Sequence, residues 1–229
     1  MLSRAEVNNY FISNLKLHRY LEIGVEAGVT FNEVVANKKV AVDPDFKIAP
    51  SELKGAAFKL TSDRFFDEHP GEIFDMIFID GLHTYEQSLR DFTRSLSRLS
   101  DHGVIIIDDC FPSDYLASLR DHGLCVRAKT RENCADRNWM GDVYKTVLFI
   151  NEFFDNLDFA YVQDTMGVVA VWRARRKLTP LLGGGAMTEL VELEYAKFRH
   201  EIFPSLPQKS VSEILDCITG TRAPAPAAR

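Results

Sequence analysis

The sequence predicts an α/β fold built on a mostly parallel sheet, and three observations predict it. Two apolar runs, Met76-Ile77-Phe78-Ile79 and Val104-Ile105-Ile106-Ile107, end on carboxylates: Asp80 after the first, Asp108 and Asp109 after the second. A short apolar run bounded by turn signals reads as a buried strand. Such runs alternate with stretches of helical spacing, which argues for parallel strands joined by crossovers. Residues 159–162 and 168–172 are two further runs joined by a short turn containing Gly167. A tight hairpin makes that pair antiparallel.

Along the chain, residues 4–19 have a mixed pattern that reads as a helix, and 20–24 as a strand. The turn that follows carries Gly24 and Gly28, and a helix is expected over 31–37. A second strand, 39–43, stops at Pro44; 56–60 is a weaker third and 75–80 the fourth. Thr84 to Gln87 has the form of a capping box. Leu89, Phe92, Leu96 and Leu99 then fall at helical spacing. Gly103 is expected to break that helix before the fifth strand, 104–108. Residues 113–121 read as a short helix closed by Gly123. Residues 129–140 read as a polar loop able to cover a site. Asp142 is placed to cap a helix running to Phe154. After the hairpin, Gly183-Gly184-Gly185 reads as a hinge. Residues 188–203 read as an amphipathic helix carrying Leu190, Leu193 and Phe198, suited to pairing with a second subunit as a homo-oligomer. The Ala/Pro-rich residues 221–229 read as a disordered tail.

A chain of 229 residues suits one large domain with a substantial core. A net charge of −6 argues against a nucleic-acid partner, which calls for a basic patch. No apolar run reaches the roughly 18 residues of a membrane span. Met1-Leu2-Ser3-Arg4-Ala5-Glu6 lacks the apolar stretch of a signal peptide. Cys110, Cys125, Cys134 and Cys217 match no zinc or redox spacing. They read as free thiols in a reducing compartment, so a cytoplasmic protein is expected.

Three acids at neighbouring strand ends would repel one another unless a cation or a shared proton balanced them. That points to a hard ion such as Mg²⁺, which prefers oxygen ligands. The plainer reading is that Asp80 opens a turn and Asp108 and Asp109 cap the next helix. Gly24 and Gly28 let a backbone pass close to a ligand. A helix start behind them offers N–H groups to an anion. Asp43 can accept hydrogen bonds from two ribose hydroxyls, or it is simply a turn acid before Pro44. The dinucleotide fingerprint needs a third glycine at tighter spacing, so NAD is disfavoured.

Glu22-x-Gly24-x-x-x-Gly28 followed by Asp43 resembles the first two motifs of the class I S-adenosylmethionine-dependent methyltransferases. The closing hairpin is similar to the antiparallel edge that separates that fold from Rossmann dehydrogenases. The resemblance covers about residues 20–172. It implies a Rossmann-like seven-stranded, mostly parallel sheet with helices on both faces and an antiparallel C-terminal hairpin. The implied division is a methyltransferase domain over 1–182, a C-terminal helical extension over 183–220 and the tail. It also implies S-adenosylmethionine as cofactor, bound through Glu22, Gly24, Gly28, Asp43, Asp63 and Asp80. Gly24 and Gly28 would pass under the methionine part, Asp43 would hold the ribose and Asp63 would lie near the adenine. Asp63 could equally cap the next helix.

Asp80, Asp108 and Asp109 resemble the metal ligands of the metal-dependent small-molecule O-methyltransferases, the group that contains catechol O-methyltransferase. In that group the third ligand is often Asn, and Asp109 directly after Asp108 departs from the catechol pattern. Asp80-x-x-His83 is more similar to the branch that methylates sugar hydroxyls, which implies His83 as general base, although a histidine before a helix is often structural. The implied activity is a divalent-metal-assisted O-methyl transfer to a hydroxyl of a sugar or small molecule. Two alternatives remain open: a metal-independent methyltransferase of another acceptor, and a non-catalytic protein that keeps the fold for binding.

Cys110 reads as a buried thiol, since no partner base is evident. Trp139 could stack on a sugar ring or aromatic acceptor, and Lys145 could meet a carboxylate or phosphate. The competing reading is a helix cap at Asp142 beside a packed Trp139. Arg131 and Arg137 read as a solvated loop face.

Overall fold

The computed structural model of the chain describes residues 1–222; residues 223–229 of the expected tail lie outside the described residues. The strands are β1 (Arg19–Ile23), β2 (Lys38–Val42), β3 (Ala56–Phe58), β4 (Phe74–Ile79), β5 (Leu99–Ile107), β6 (Leu157–Val162), β7 (Val169–Arg173) and β8 (Gln208–Lys209). They form one sheet in the order β3-β2-β1-β4-β5-β7-β6-β8. Strands β1 to β5 run parallel, and β7 is antiparallel to β5 and β6 on either side of it. All seven expected strands are present. The two-residue β8 adds an eighth, parallel to β6 at the edge.

The continuous apolar runs follow from burial on both faces. Ile77, Ile79, Ile105, Ile107 and Val171 face one core; their neighbours Met76, Phe78, Val104, Ile106 and Trp172 face the other. On the first face pack α3 (Ser62–Glu68), α4 (Tyr85–Leu96) and α6 (Tyr144–Phe153). On the second pack α1 (Arg4–Leu15), α2 (Val29–Glu33) and the last helix, α9 (Val211–Arg222). Among the described residues no helix is long and apolar enough to cross a membrane.

Three local expectations fail. Residues 113–121 form turns, and the helix there is α5 (His122–Arg131), with Gly123 inside it. The Asp121 side chain accepts the Leu124 amide at 2.5 Å and starts the helix at that point. The expected loop is thereby shortened to residues 132–140. Second, α4 ends at Leu96 and β5 begins at Leu99, so Gly103 lies inside a strand. Third, residues 188–203 are not one helix. They divide into the end of α7 (Ala186–Glu192), α8 (Tyr195–Lys197), a π turn Phe198–Ile202 and the start of a 3₁₀ turn, Phe203–Ser205. Leu193 is extended, and Pro204 stops any continuation. The last helix, α9, lies mostly within the expected helical extension over 183–220, and it takes in Thr221 and Arg222, where the expected tail begins.

The apolar positions of this C-terminal segment are used within the chain. Leu190 and Phe198 are fully buried in the first core, and Phe198 stacks on Tyr144 with ring centroids 4.3 Å apart. Ile214 and Ile218 of α9 close the second core. A buried lysine holds the segment after β5: Lys129 Nζ lies 2.9 Å from Asp136 and 3.1 Å from Asp114.

Phe198→Ala removes a fully buried ring from this packing and should cost about 3–5 kcal/mol of stability. Urea unfolding measures it. A loss below about 1 kcal/mol would mean that the C-terminal segment adds little to the main core.

Candidate functional site

The sheet register sets the site. Ile23, Ile79 and Ile107 lie abreast, so the residues that follow β1, β4 and β5 emerge along one edge. Asp80 donates its amide to the Ile23 carbonyl at 2.8 Å, and Asp108 donates its own to Ile79 at 3.0 Å. This edge borders the point between β1 and β4 where strand order reverses, the usual ligand crevice of open α/β sheets.

Gly24 follows β1 with φ +81°, and a Cβ there would lie 1.8 Å from the Asp80 carbonyl oxygen. The missing side chain therefore lets the β1 turn rest directly on the end of β4. Asp43 fixes the same turn from β2. Its Oδ2 accepts the amides of Val25 and Glu26, each at 2.8 Å, and its Oδ1 accepts that of Asp45 at 2.6 Å. A carboxylate offers about four acceptor positions, so one remains. Gly28 caps the short α2 with φ +71°, against Leu53 and Ile48.

The acids converge as the strand ends demand. Asp108 Oδ1 accepts the Asp109 amide at 2.9 Å, and its Oδ2 takes the Nε–H of Arg4. The Arg4 guanidinium also lies 3.9 Å from both Asp80 and Asp109. Asp109 has φ +57°, a left-handed conformation that Asp tolerates better than most residues. His83 Nε2 is 3.1 Å from Asp109 Oδ2 and 3.3 Å from Asp80 Oδ1. His83 Nδ1 is 2.7 Å from the Trp139 carbonyl. A carbonyl only accepts, so Nδ1 carries a hydrogen and Nε2 is the atom that gains or loses a proton.

Burial and mutual repulsion set the charges. Burial, then Asp108, pushes Asp109 well above the usual carboxylate range. Burial and Asp80 push Asp108 up to about 6 against the pull of Arg4. Burial opposes charge on His83, but Asp80, Asp109 and the Trp139 carbonyl outweigh it and raise the imidazole to about 9. Asp80, His83 and Asp109 each present a ligand atom within 4.8 Å of the others.

The loop before α6 carries the histidine's support. The Trp139 ring lies 4.9 Å from both the His83 ring and the His122 ring, and it donates Nε1–H to the Leu119 carbonyl at 2.6 Å. Gly141 has φ +59°, and a Cβ there would meet the His83 carbonyl oxygen at 1.7 Å. Asp142 Oδ1 accepts the Tyr85 amide at 2.7 Å, so it caps α4 instead of its own helix. Thr84 is the N-cap residue of α4 but makes no side-chain cap, and the expected capping box does not form.

The remaining candidates lie elsewhere. Glu22 is buried and accepts the Tyr20 hydroxyl at 2.5 Å; burial raises it to about 8. Asp63 faces Arg90 and Arg94 on α4 at 3.6 and 3.7 Å, and Thr61 is the residue that caps α3. Lys145 is buried and donates to the Val191 carbonyl at 2.7 Å. Cys110 is buried and its thiol is pushed up by burial; all four cysteines are free. Arg131 and Arg137 are exposed.

Residues 21–110 match the family model of a methyltransferase domain. Over that stretch, which is less than half of the chain, the sequence is similar to a methyltransferase domain. The mostly parallel sheet with its reversed β7 agrees with the antiparallel C-terminal hairpin that the motif resemblance implies. The chain matches no curated protein sequence. Solved structures share the fold at low identity. An O-methyltransferase from Bacillus cereus in complex with SAH is 16% identical with a TM-score of 0.54, over 76% of this chain and 83% of that one. The SAH-bound methyltransferase PaMTH1 from Podospora anserina is 18% identical with a TM-score of 0.54, over 76% and 80%. The O-methyltransferase TomG from Streptomyces achromogenes, in complex with SAM, is 15% identical with a TM-score of 0.50, over 76% and 82%.

At this site, sequence reasoning missed Arg4, the Trp139 carbonyl and Gly141. The Ser3–Glu6 capping box marks where α1 starts, but nothing local shows that its first side chain meets acids more than seventy residues away.

Free of metal, His83 should titrate far above its ordinary 6.5, towards about 9. The raised value means that protonation of His83 stabilises the fold fully below about 6.5 and that this contribution is lost as pH rises through about 9. Two-dimensional ¹⁵N NMR of the imidazole measures the midpoint; a value near 6.5 would contradict this geometry.

Proposed function

We propose that the protein is an S-adenosylmethionine-dependent O-methyltransferase, assisted by a divalent cation, acting on a hydroxyl of a sugar or other small molecule. One observation carries the reading: Asp80, Asp109 and His83 gather at the switch-point edge, in contact with the Gly24 turn. The Bacillus cereus, Podospora and Streptomyces proteins of like fold hold SAH or SAM, and the last is involved in tomaymycin synthesis. That supports the same donor and a small-molecule acceptor here.

The cofactor roles follow the edge. The turn from Gly24 to Gly28 would lie against the methionine part. Asp43, with one acceptor position left, would take a ribose hydroxyl. Glu22 and Asp80 would bound the pocket from below and beside. Asp63 is the weakest member, because its carboxylate already faces two arginines. S-adenosylmethionine supplies a methyl group made electrophilic by its sulfonium.

The donor set also fits a divalent ion such as Mg²⁺. Buried carboxylates held together, with Asp109 pushed well above its usual range, represent repulsion that a cation relieves. Asp80 and Asp109 would hold the ion, with Asp108 completing the set when Arg4 releases it. The ion would add positive charge that makes an acceptor hydroxyl more acidic and removes the attraction keeping His83 protonated. His83 Nε2 then faces the site as the proton acceptor, held in that tautomer by the Trp139 carbonyl. General-base catalysis of this kind contributes about 10²–10⁴-fold. Two charges on the protein thus do separate tasks: the carboxylates orient the acceptor and the imidazole takes its proton.

One observation favours a metal-independent reading, the Arg4 guanidinium already placed among the acids. The two are separated by titrating with S-adenosylhomocysteine and assaying methyl transfer with and without EDTA. The proposal expects cofactor binding, loss of activity in EDTA and recovery with Mg²⁺ or Mn²⁺. Asp109→Asn and His83→Gln should each lower kcat by about 10²-fold or more with cofactor affinity unchanged. Full activity in EDTA would remove the metal role, and no cofactor binding would leave a non-catalytic protein.

A further inference from the structure

We infer that Arg4 is an internal competitor for the cation, a side-chain latch that must let go of Asp108 before a divalent ion is held tightly. The inference rests on the metal-assisted reading above. Its geometric basis is independent of any titration. Arg4 pairs with Asp108 through Nε and lies 3.9 Å from one oxygen each of Asp80 and Asp109. It therefore addresses all three acids that an ion would use. Each positive charge near the cluster lowers the attraction for the next, and the effect is large where water is largely excluded. With Asp108 covered, an incoming ion finds two carboxylates, Asp80 and Asp109, instead of three.

The position of Arg4 is built, not incidental. It is the first residue of α1, and the Ser3–Glu6 capping box fixes that start: Glu6 takes the Ser3 amide at 2.7 Å and Ser3 takes the Glu6 amide at 3.1 Å. Leu2 donates to the Asp164 carbonyl in the β6–β7 turn at 2.7 Å. Val7 and Phe11 anchor the helix in the second core with no exposure. The Arg4 side chain itself is 46% exposed, so it can turn outward without moving the helix. The latch is thus a fixed helix carrying a movable guanidinium. It keeps the acids partly neutralised when no ion is bound, and it gives up Asp108 when one arrives.

The test is binding of Mn²⁺ alone, followed by EPR of the free ion, with S-adenosylhomocysteine at a fixed concentration. Arg4→Met should bind Mn²⁺ at least about tenfold more tightly than the unsubstituted protein. Arg19→Met is the control, because Arg19 pairs with Asp75 beside the start of β4, at the opposite end of that strand; it should leave affinity unchanged. Arg4→Lys keeps a charge but loses the Nε contact and should fall between, which preserves the test if the Met variant does not fold. Equal affinity in Arg4→Met and the unsubstituted protein overturns the latch and leaves the metal reading standing. Weaker binding in Arg4→Met also overturns it, because Arg4 would then be organising the site. A gain in Arg19→Met equal to that in Arg4→Met reduces the effect to net charge and overturns it. No Mn²⁺ binding in any variant overturns the latch and the metal reading together.

Discussion

The ends of β4 and β5 hold like charges next to each other, and much of the surrounding structure answers that constraint. The pairing of Ile79 with Ile107 leaves Asp80 and Asp108 no separate directions to leave the sheet. Asp109, in its left-handed turn, adds a third carboxylate. Left alone, the three would destabilise the fold at neutral pH. Arg4 from α1 and His83 from the β4 turn supply the opposing charge. Both come from elements that the core fixes independently, so the cluster is held from two sides of the sheet.

Support for His83 extends well beyond its neighbours. The Trp139 carbonyl sets its tautomer, and Trp139 is held in turn by the Leu119 carbonyl and the His122 ring. That stretch is tied down by Asp136, which accepts from Ser113 and the Asn138 amide and pairs with buried Lys129. A cation with no exposure, bound to two acids, is costly to break because either partner left alone is an unpaired charge at a desolvated site. The segment, α5 with the irregular stretches on either side of it, thus has a charged core. Its shape is delivered to the site as one carbonyl oxygen at a fixed place.

These two layers mark how far the sequence can be read. The seven strands and the reversed hairpin were legible because their signals are local: apolar runs, Gly167 at the turn, carboxylates at the ends. That Asp80, Asp108 and Asp109 leave one edge is also legible, since adjacent parallel strands need only one register, but the group that gathers is Asp80, Asp109 and His83, while Asp108 turns to Arg4. What was not legible depends on competition or distance. Asp121 displaced the expected helix because its side chain found the Leu124 amide. Asp142 left its own helix for Tyr85. The break between α7 and α8 reflects packing of Leu193 and Phe198 into a core made by other segments. Arg4 meets its partners only through tertiary structure, and no spacing rule connects position 4 with position 108.

Gly24 shows why the turn after β1 and the acid cluster act as one body. The sequence reads this glycine as room for a ligand, yet the atom that a Cβ would strike is the Asp80 carbonyl oxygen. On the function proposed, the turn that would face the donor rests on the backbone of the residue whose side chain would face the acceptor. Asp43 tightens the same contact by gathering the Val25 and Glu26 amides. A displacement reaction is sensitive to the distance and line between its two partners, and fixing that line removes much of the entropic barrier. Here the two halves of the site share a van der Waals contact through the backbone. Any shift of one is passed to the other, so the requirement for glycine at position 24 is a requirement on their relative placement.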